Sequence, residues 1–339
     1  MTKKVITLVS VMALAAIMAL ALAGCGGGNA SSSSSSSAAT SSAAKSNGLR
    51  FVTGGESGTY YAFGSVIAQH ATNDAGVAIT PASSGGSQAN IQEIEDGTAE
   101  LGFAQSDVMT YAYQGKNLFE KGAVTNFSVL APLYQEQVQI VTCNPDIKTV
   151  ADLKGKNVSI GAAGSGVYFN AIDILGVYGL SEKDITATYQ SFADSADSLK
   201  DGKIDAAFIV AGAPTTAIVD LSTSKQAYLV ALDQEHIDKL VANNPFYSPA
   251  TIKAGTYKGI DNDVLTVGLD AVIVVSDKVS ADDVYKITAD IFENAPALLD
   301  NHAKYGEISI DKGASATSVP YHPGAAKYFK EKGFDVPTK

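Results

Sequence analysis

Three stretches rich in glycine and serine stand where the chain passes from a strand-like run to a helix-like one. They are Thr53-Gly54-Gly55-Glu56-Ser57-Gly58-Thr59-Tyr60, Ser83-Ser84-Gly85-Gly86-Ser87-Gln88-Ala89-Asn90 and Gly164-Ser165-Gly166. A helix that begins on such a turn leaves its first amides unpaired and aimed outward, which makes a site for an anionic group that needs no arginine. That chemistry suits a chain whose only arginine is Arg50. Gly54, Gly58 and Gly166 let backbone approach a ligand, while Ser57, Thr59, Ser84, Ser87 and Ser165 supply hydroxyls that can bind it or cap the helix. Caps favour the same residue types whatever the function, so one turn alone reads as a cap. The match between the first and third turns reads as a site.

Further candidates lie at the same expected sheet edge. Thr53 opens the first stretch, and Asn90 closes the second. The run Leu101 to Gln105 delivers Gln105, Ser106 and Asp107, with capping the favoured role for Asp107. Gly212 and Pro214 end a strand and open a helix. Tyr60 and Tyr134 are the phenols assigned to the cleft, since a buried phenol seeks a polar partner.

Enzyme signatures are missing. Gly55-Glu56-Ser57-Gly58 lacks the spacing of a nucleophile elbow, and Gly85-Gly86-Ser87-Gln88-Ala89 ends in alanine. Neither glycine-rich turn carries the lysine of a phosphate loop. His70, His236, His302 and His322 are too scattered for a zinc site. No catalytic residue, cofactor or metal is therefore expected.

The elements that must hold these turns alternate from Leu49 onward. Leu49 to Thr53 reads as a strand, Thr59 to Ala71 as a helix, Val77 to Pro81 as a strand, Ser87 to Glu95 as a helix and Leu101 to Gln105 as a strand. The order recurs with a strand at Val158 to Gly161, a helix over Val167 to Val177, a strand at Ala206 to Val210 and a helix after Pro214. Residue matches accompany the recurrence. Ser57-Gly58-x-Tyr60 answers Ser165-Gly166-x-Tyr168, and Asp96-Gly97-x-x-Glu100-x-x-Phe103 answers Asp201-Gly202-x-x-Asp205-x-x-Phe208. Alternation of this kind predicts an α/β fold of two doubly wound lobes with a central cleft.

The chain has 339 residues, of which 46% are hydrophobic, enough for real cores. A formal charge of −11 opposes binding to nucleic acid. Lys3 and Lys4 precede an apolar run from Val5 to Leu22, closed by Leu22-Ala23-Gly24-Cys25, which resembles a bacterial lipobox. Residues 1–24 are read as a lipoprotein signal peptide, with Cys25 lipidated as the mature first residue. Residues 25–48, nearly all Gly, Ser and Ala, read as a flexible tether. Its reach is about 26 Å root-mean-square. The expected place is outside the cytoplasm, on a membrane through the lipid.

Taken in order, Thr53 to Tyr61, Gly85 to Asn90, Leu101 to Asp107, Gly212-Ala213-Pro214 and Val319 to Tyr328 resemble the TAXI family of solute receptors for TRAP transporters, over about Leu49 to Phe334. The resemblance implies the type II periplasmic binding protein topology, with residues 49–143 plus 268–339 as lobe one and 144–267 as lobe two. Crossings are expected near Val141 to Pro145 and Val267 to Val275. It also implies delivery of a small organic acid or amino acid, such as glutamate, to membrane permease subunits driven by ions. The arginine clamp of other TRAP receptors is not expected here, and His322 is read as packing and capping. Two other classes remain open: a membrane-anchored serine hydrolase using Ser57 or Ser87, and a sensory module.

Overall fold

The computed structural model describes residues 48–339. The expected leader, Cys25 and all but the last residue of the tether lie outside the described residues. Among the described residues no helix is long and apolar enough to cross a membrane.

Ten strands join in one sheet, ordered β2-β1-β3-β10-β4-β7-β5-β6, with β8 on β4 and β9 on β10. The first half comprises β1 (Leu49–Val52), α1 (Thr59–His70), β2 (Ile79–Ala82), α2 (Ser87–Glu95), β3 (Leu101–Gln105) and α3 (Ser106–Gln114). β1 pairs in parallel with both β2 and β3. β4 (Phe127–Thr142) then runs into the second half, built of β5 (Asn157–Ser159), α4 (Val167–Val177), β6 (Thr186–Thr188), α5 (Phe192–Lys200), β7 (Ala206–Ala211), α6 (Thr216–Ser224), β8 (Tyr228–Leu229), α7 (Gln234–Asn243) and β9 (Ser248–Ile252). Here β5 pairs in parallel with β6 and β7. β10 (Val264–Ser276) returns antiparallel to β4, and α8 (Ala281–Glu293), α9 (Ile310–Gly313) and α10 (Pro323–Glu331) complete the first half. The chain therefore folds as two α/β lobes sharing β4 and β10.

Both long strands are buried over nearly their whole length, because helices cover both faces of a sheet of this kind. Leu133 and Tyr134 belong to the core of lobe one, whereas Val138 and Ile140 belong to that of lobe two. On the return, Leu269 packs in lobe two and Ala271 in lobe one. The outward change of core thus precedes Val141 to Pro145, since β4 continues unbroken into the second lobe. On the return the change of core falls at Asp270.

Local chemistry explains the matched ends. α2 and α5 both finish on a glycine in the left-handed region, Gly97 at φ 72° and Gly202 at φ 70°. In each, the amide just after that glycine reaches back in the same way: Thr98 N to Glu93 O at 2.9 Å and Lys203 N to Ser198 O at 2.8 Å. A side chain at either glycine would be strained there. Each lobe closes its helix and enters the next strand by one device.

Candidate functional site

The two lobes meet over a cavity of about 70 Å³. At roughly 10–15 Å³ for each water-sized sphere, it holds several waters or one small solute. Its walls come from the loop after β1, the start of α2, the end of β3, β4, the loop after β5 and the end of β7. These are carboxyl ends of strands, where open α/β sheets bind ligands.

Of the residues expected in the site, Gly54, Gly58, Thr59, Tyr60, Ser84, Ser87, Gln105, Ser165 and Gly166 line this cavity. α1 begins at Gly58 and α4 at Gly166, and neither takes a side-chain cap among the described residues. Ser57 and Thr59 are therefore not caps of α1. The third amide of α2 is spent across the gap, Ala89 N donating to Gly164 O at 3.0 Å. That contact and Ala217 N to Ser57 O at 3.3 Å tie the lobes together in a closed arrangement.

The hydroxyl groups are mostly engaged. Thr59 Oγ1 donates to Gly212 O at 3.0 Å, Ser84 Oγ to Asn90 Oδ1 at 2.5 Å, and Ser87 Oγ accepts from Gln105 N at 3.1 Å. Ser165 Oγ and Gln105 Oε1 are buried and have no hydrogen-bond partner among the described residues. A buried polar group left so costs about 1–3 kcal/mol, and a bound solute would satisfy both. Gln105 Oε1 lies against Gly166, where any side chain would overlap it.

Eight expected residues stand outside the walls. Thr53 donates to Ala82 O at 2.8 Å, and Asn90 holds Thr53 O and Phe103 O at 2.7 Å each, both inside lobe one. Ser57 gives its carbonyl to α6. Ser106 Oγ accepts from Asp270 N at 3.4 Å. Asp107 is no cap; it sits fully buried in the first turn of α3 and accepts from Asn170 Nδ2 at 3.2 Å. Tyr134 packs edge-on to Phe63 and Phe103, a layer behind Tyr60. Gly212 receives Thr59 and adjoins the Lys304 side chain, and Pro214 follows it at the head of α6. Thr53, Asn90 and Asp107 are buried with internal partners, Tyr134 is buried in the core, and Ser57, Ser106, Gly212 and Pro214 stand beside the walls, with Pro214 exposed.

Glu136 is the residue that the sequence reading missed. It lines the cavity from β4, is 2% exposed and accepts from the Tyr60 hydroxyl at 3.0 Å. Burial holds its carboxyl well above the usual carboxylate range; the Tyr60 bond and Lys304 pull the other way, while Asp107 and Asp270 push it up further. A charged residue inside the apolar run of β4 was the available signal. Phe192, Ser191, Ala162, Val167 and Val210 complete the wall from lobe two.

No histidine among the described residues lines the cavity. His70 pairs with Asp290, His236 stacks on Tyr178, His302 stacks on Phe63, and His322 caps α10. Arg50 pairs with Glu93 away from the cavity. Cys143 is half-buried against lobe two, and burial raises its thiol pKa. A larger cleft of about 550 Å³ lies beside α3, α4 and α7. Several of its polar groups pair with one another, with Asn244 Nδ2 reaching Tyr111 at 2.9 Å and Asp173 at 3.3 Å. It lacks the orphaned atoms of the smaller cavity.

Comparison with known proteins gives one family and a set of folds. The model of the NMT1-like family matches residues 51–333. Among solved structures, a protein from Bordetella bronchiseptica RB50 is 16% identical over 83% of this chain and 88% of its own, with a TM-score of 0.53. The alkanesulfonate-binding protein SsuA from Xanthomonas axonopodis pv. citri, bound to MOPS, is 18% identical over 83% of each chain, with a TM-score of 0.49. The GluR0 ligand-binding core from Nostoc punctiforme in complex with (L)-glutamate is 17% identical over 74% of this chain and 97% of that one, with a TM-score of 0.46. The Bordetella likeness bears on the fold alone.

Proposed function

This chain belongs to the NMT1-like family, and from that premise we propose that it is a receptor that captures a small solute outside the cytoplasm. Its two lobes, joined through β4 and β10, have the type II periplasmic binding protein topology. The solute is a small organic acid or amino acid such as glutamate. Its carboxylate faces the uncapped starts of α1 and α4, where helix dipoles favour negative charge. Ser165 and Gln105 take its other polar groups, and a solute ammonium is countered by Glu136. The single observation that carries this reading is the cavity shared by two glycine-serine turns, with buried, unpartnered Ser165 Oγ and Gln105 Oε1 in its wall.

The solute is bound by both lobes only when they are closed, so capture is hinge closure without catalysis. The TAXI-like motifs extend the proposal to a TRAP-type system, in which a permease accepts the solute from a lipid-anchored receptor. A thermal-shift panel of amino acids and small organic acids tests the reading. At a hundredfold its dissociation constant, the true solute stabilises the protein by about 2.7 kcal/mol. A panel with no stabilising acid would overturn it. Labelling of Ser57 or Ser87 by a serine-directed covalent probe would point to hydrolysis instead.

A further inference from the structure

The inner wall of the cavity is set by a chain of buried side chains that crosses from one lobe to the other. Gln105, at the end of β3, has its main-chain amide fixed by Ser87 and donates Nε2 to Asn170 Oδ1 at 2.8 Å. Asn170, fully buried on α4, donates Nδ2 to Asp107 Oδ2 at 3.2 Å and to the Tyr247 hydroxyl at 2.9 Å. Tyr247 spends its own proton on Asp173 Oδ2 at 3.1 Å. Asp107 Oδ1 is already occupied by Val108 N at 2.7 Å.

Each link has one allowed polarity. A carboxylate only accepts, and a phenol that has given its proton to Asp173 must also accept. Asn170 therefore turns its NH2 toward Asp107 and Tyr247 and its oxygen toward Gln105. Gln105 must then donate to Asn170, which leaves Oε1 on the side of Gly166 with no partner among the described residues.

We propose that Asp107, acting through Asn170, is a positioning residue that fixes which end of the Gln105 amide faces the cavity, so that the solute group opposite Gln105 is a hydrogen-bond donor. The donor requirement rests on the cavity being the solute site; the relay itself does not. The orientation also depends on the proton of Asp107. Burial raises the Asp107 pKa to about 7, with Asp173 adding to the rise and the bonds from Val108 and Asn170 opposing it. The titratable groups around it are Asp173 on α4, Glu136 on β4, the Tyr111 phenol on α3 and Tyr247 before β9. With Oδ1 occupied, the added proton sits on Oδ2 and opposes the Asn170 NH2. Turning that amide relieves the conflict: the Tyr247 hydroxyl moves its proton from Asp173, which keeps the bond from Asn244, to Asn170 Oδ1, and Gln105 turns as well, presenting Nε2 to the cavity. Above the titration the site offers an acceptor; below it, a donor.

The test is nuclear magnetic resonance on the full chain without solute, with 15N in the Asn and Gln side chains and 13C in the Asp carboxyls. Between roughly pH 5.5 and 8.5, a range that brackets neutrality, the Asp107 carboxyl and the side-chain amides of Asn170 and Gln105 are expected to titrate with one midpoint. A nuclear Overhauser contact from the Gln105 NH2 protons to the Gly166 α-protons should appear below it and vanish above it. Asp173→Asn should move all three midpoints together to lower pH, and Asp107→Asn should flatten the amide titrations. A Gln105–Gly166 contact that ignores pH, or amides that still titrate in Asp107→Asn, would overturn the relay. Either failure leaves the solute reading intact, since that reading is decided by the thermal-shift panel.

Discussion

The hydroxyl of Tyr60, in the first turn of α1, donates to the buried carboxyl of Glu136 on β4 at 3.0 Å. Tyr60 also stacks on Phe103 with ring centroids 4.6 Å apart, so lobe-one core packing holds the phenol against the carboxyl. On the proposed reading the cavity has two electrostatic ends, with helix starts for an anion and a carboxyl that a cation would ionise. Burial keeps the Glu136 pKa high.

Glu136→Gln keeps the bond from Tyr60 and removes the ionisable group. L-glutamate affinity should fall by about tenfold or more, which is about 1.4 kcal/mol, while glutarate, which lacks the ammonium, should bind as to the unmodified protein. Calorimetric titration of both compounds checks this, and an equal loss for both would rule out pairing of Glu136 with an amine.

Ser165→Ala removes a buried hydroxyl that has no partner among the described residues. Without solute the melting temperature should hold or rise, by no more than about 1 kcal/mol in stability, while solute affinity falls. Opposite signs in those two measurements mark a ligand group, whereas a structural hydroxyl would lower both.

Gly166→Ala places a methyl group where Gln105 Oε1 lies. Because Gln105 is held by Asn170 and Ser87, the overlap is relieved by parting the lobes. Small-angle scattering should give a larger radius of gyration for the variant, and solute affinity should drop by at least about tenfold. Unchanged scattering and affinity would show that this approach does not matter.

The raised carboxyl pKa of Asp107 has a definite sign for stability. The folded form binds a proton more tightly than the unfolded chain, so stability is greatest below the unfolded value near 3.9 and declines as pH rises toward about 7. The slope from this group is at most about 1.4 kcal/mol per pH unit. Urea unfolding across that window should show the decline, with a shallower slope in Asp107→Asn. An identical slope in the variant would contradict a proton held at this site.

Much of the architecture was legible because local signals agreed. The bounds of α2, β3 and α4 coincide with the runs Ser87 to Glu95, Leu101 to Gln105 and Val167 to Val177. There a glycine-serine turn, an apolar run and a helix-ending glycine each mark the same edge. The cavity wall was harder to read. Thr53, Asn90 and Asp107 carry the polar groups of a site yet spend them inside the fold, and a sequence does not distinguish a satisfied polar core from a waiting one. Glu136 escaped because its partner Tyr60 lies 76 positions away. Tyr134 sits two residues before Glu136, but α1 covers it through Phe63.

In the proposed receptor the turns at Gly58 and Gly166 close on one carboxylate. A crystal structure of the full chain with the strongest stabilising acid from the panel tests it most directly. The solute carboxylate is expected within about 3 Å of first-turn amides of both α1 and α4, with Ser165 Oγ bonded to the solute. Density for the acid in the cleft beside Tyr111 and Asn244, or on one lobe alone with the turns apart, would contradict it.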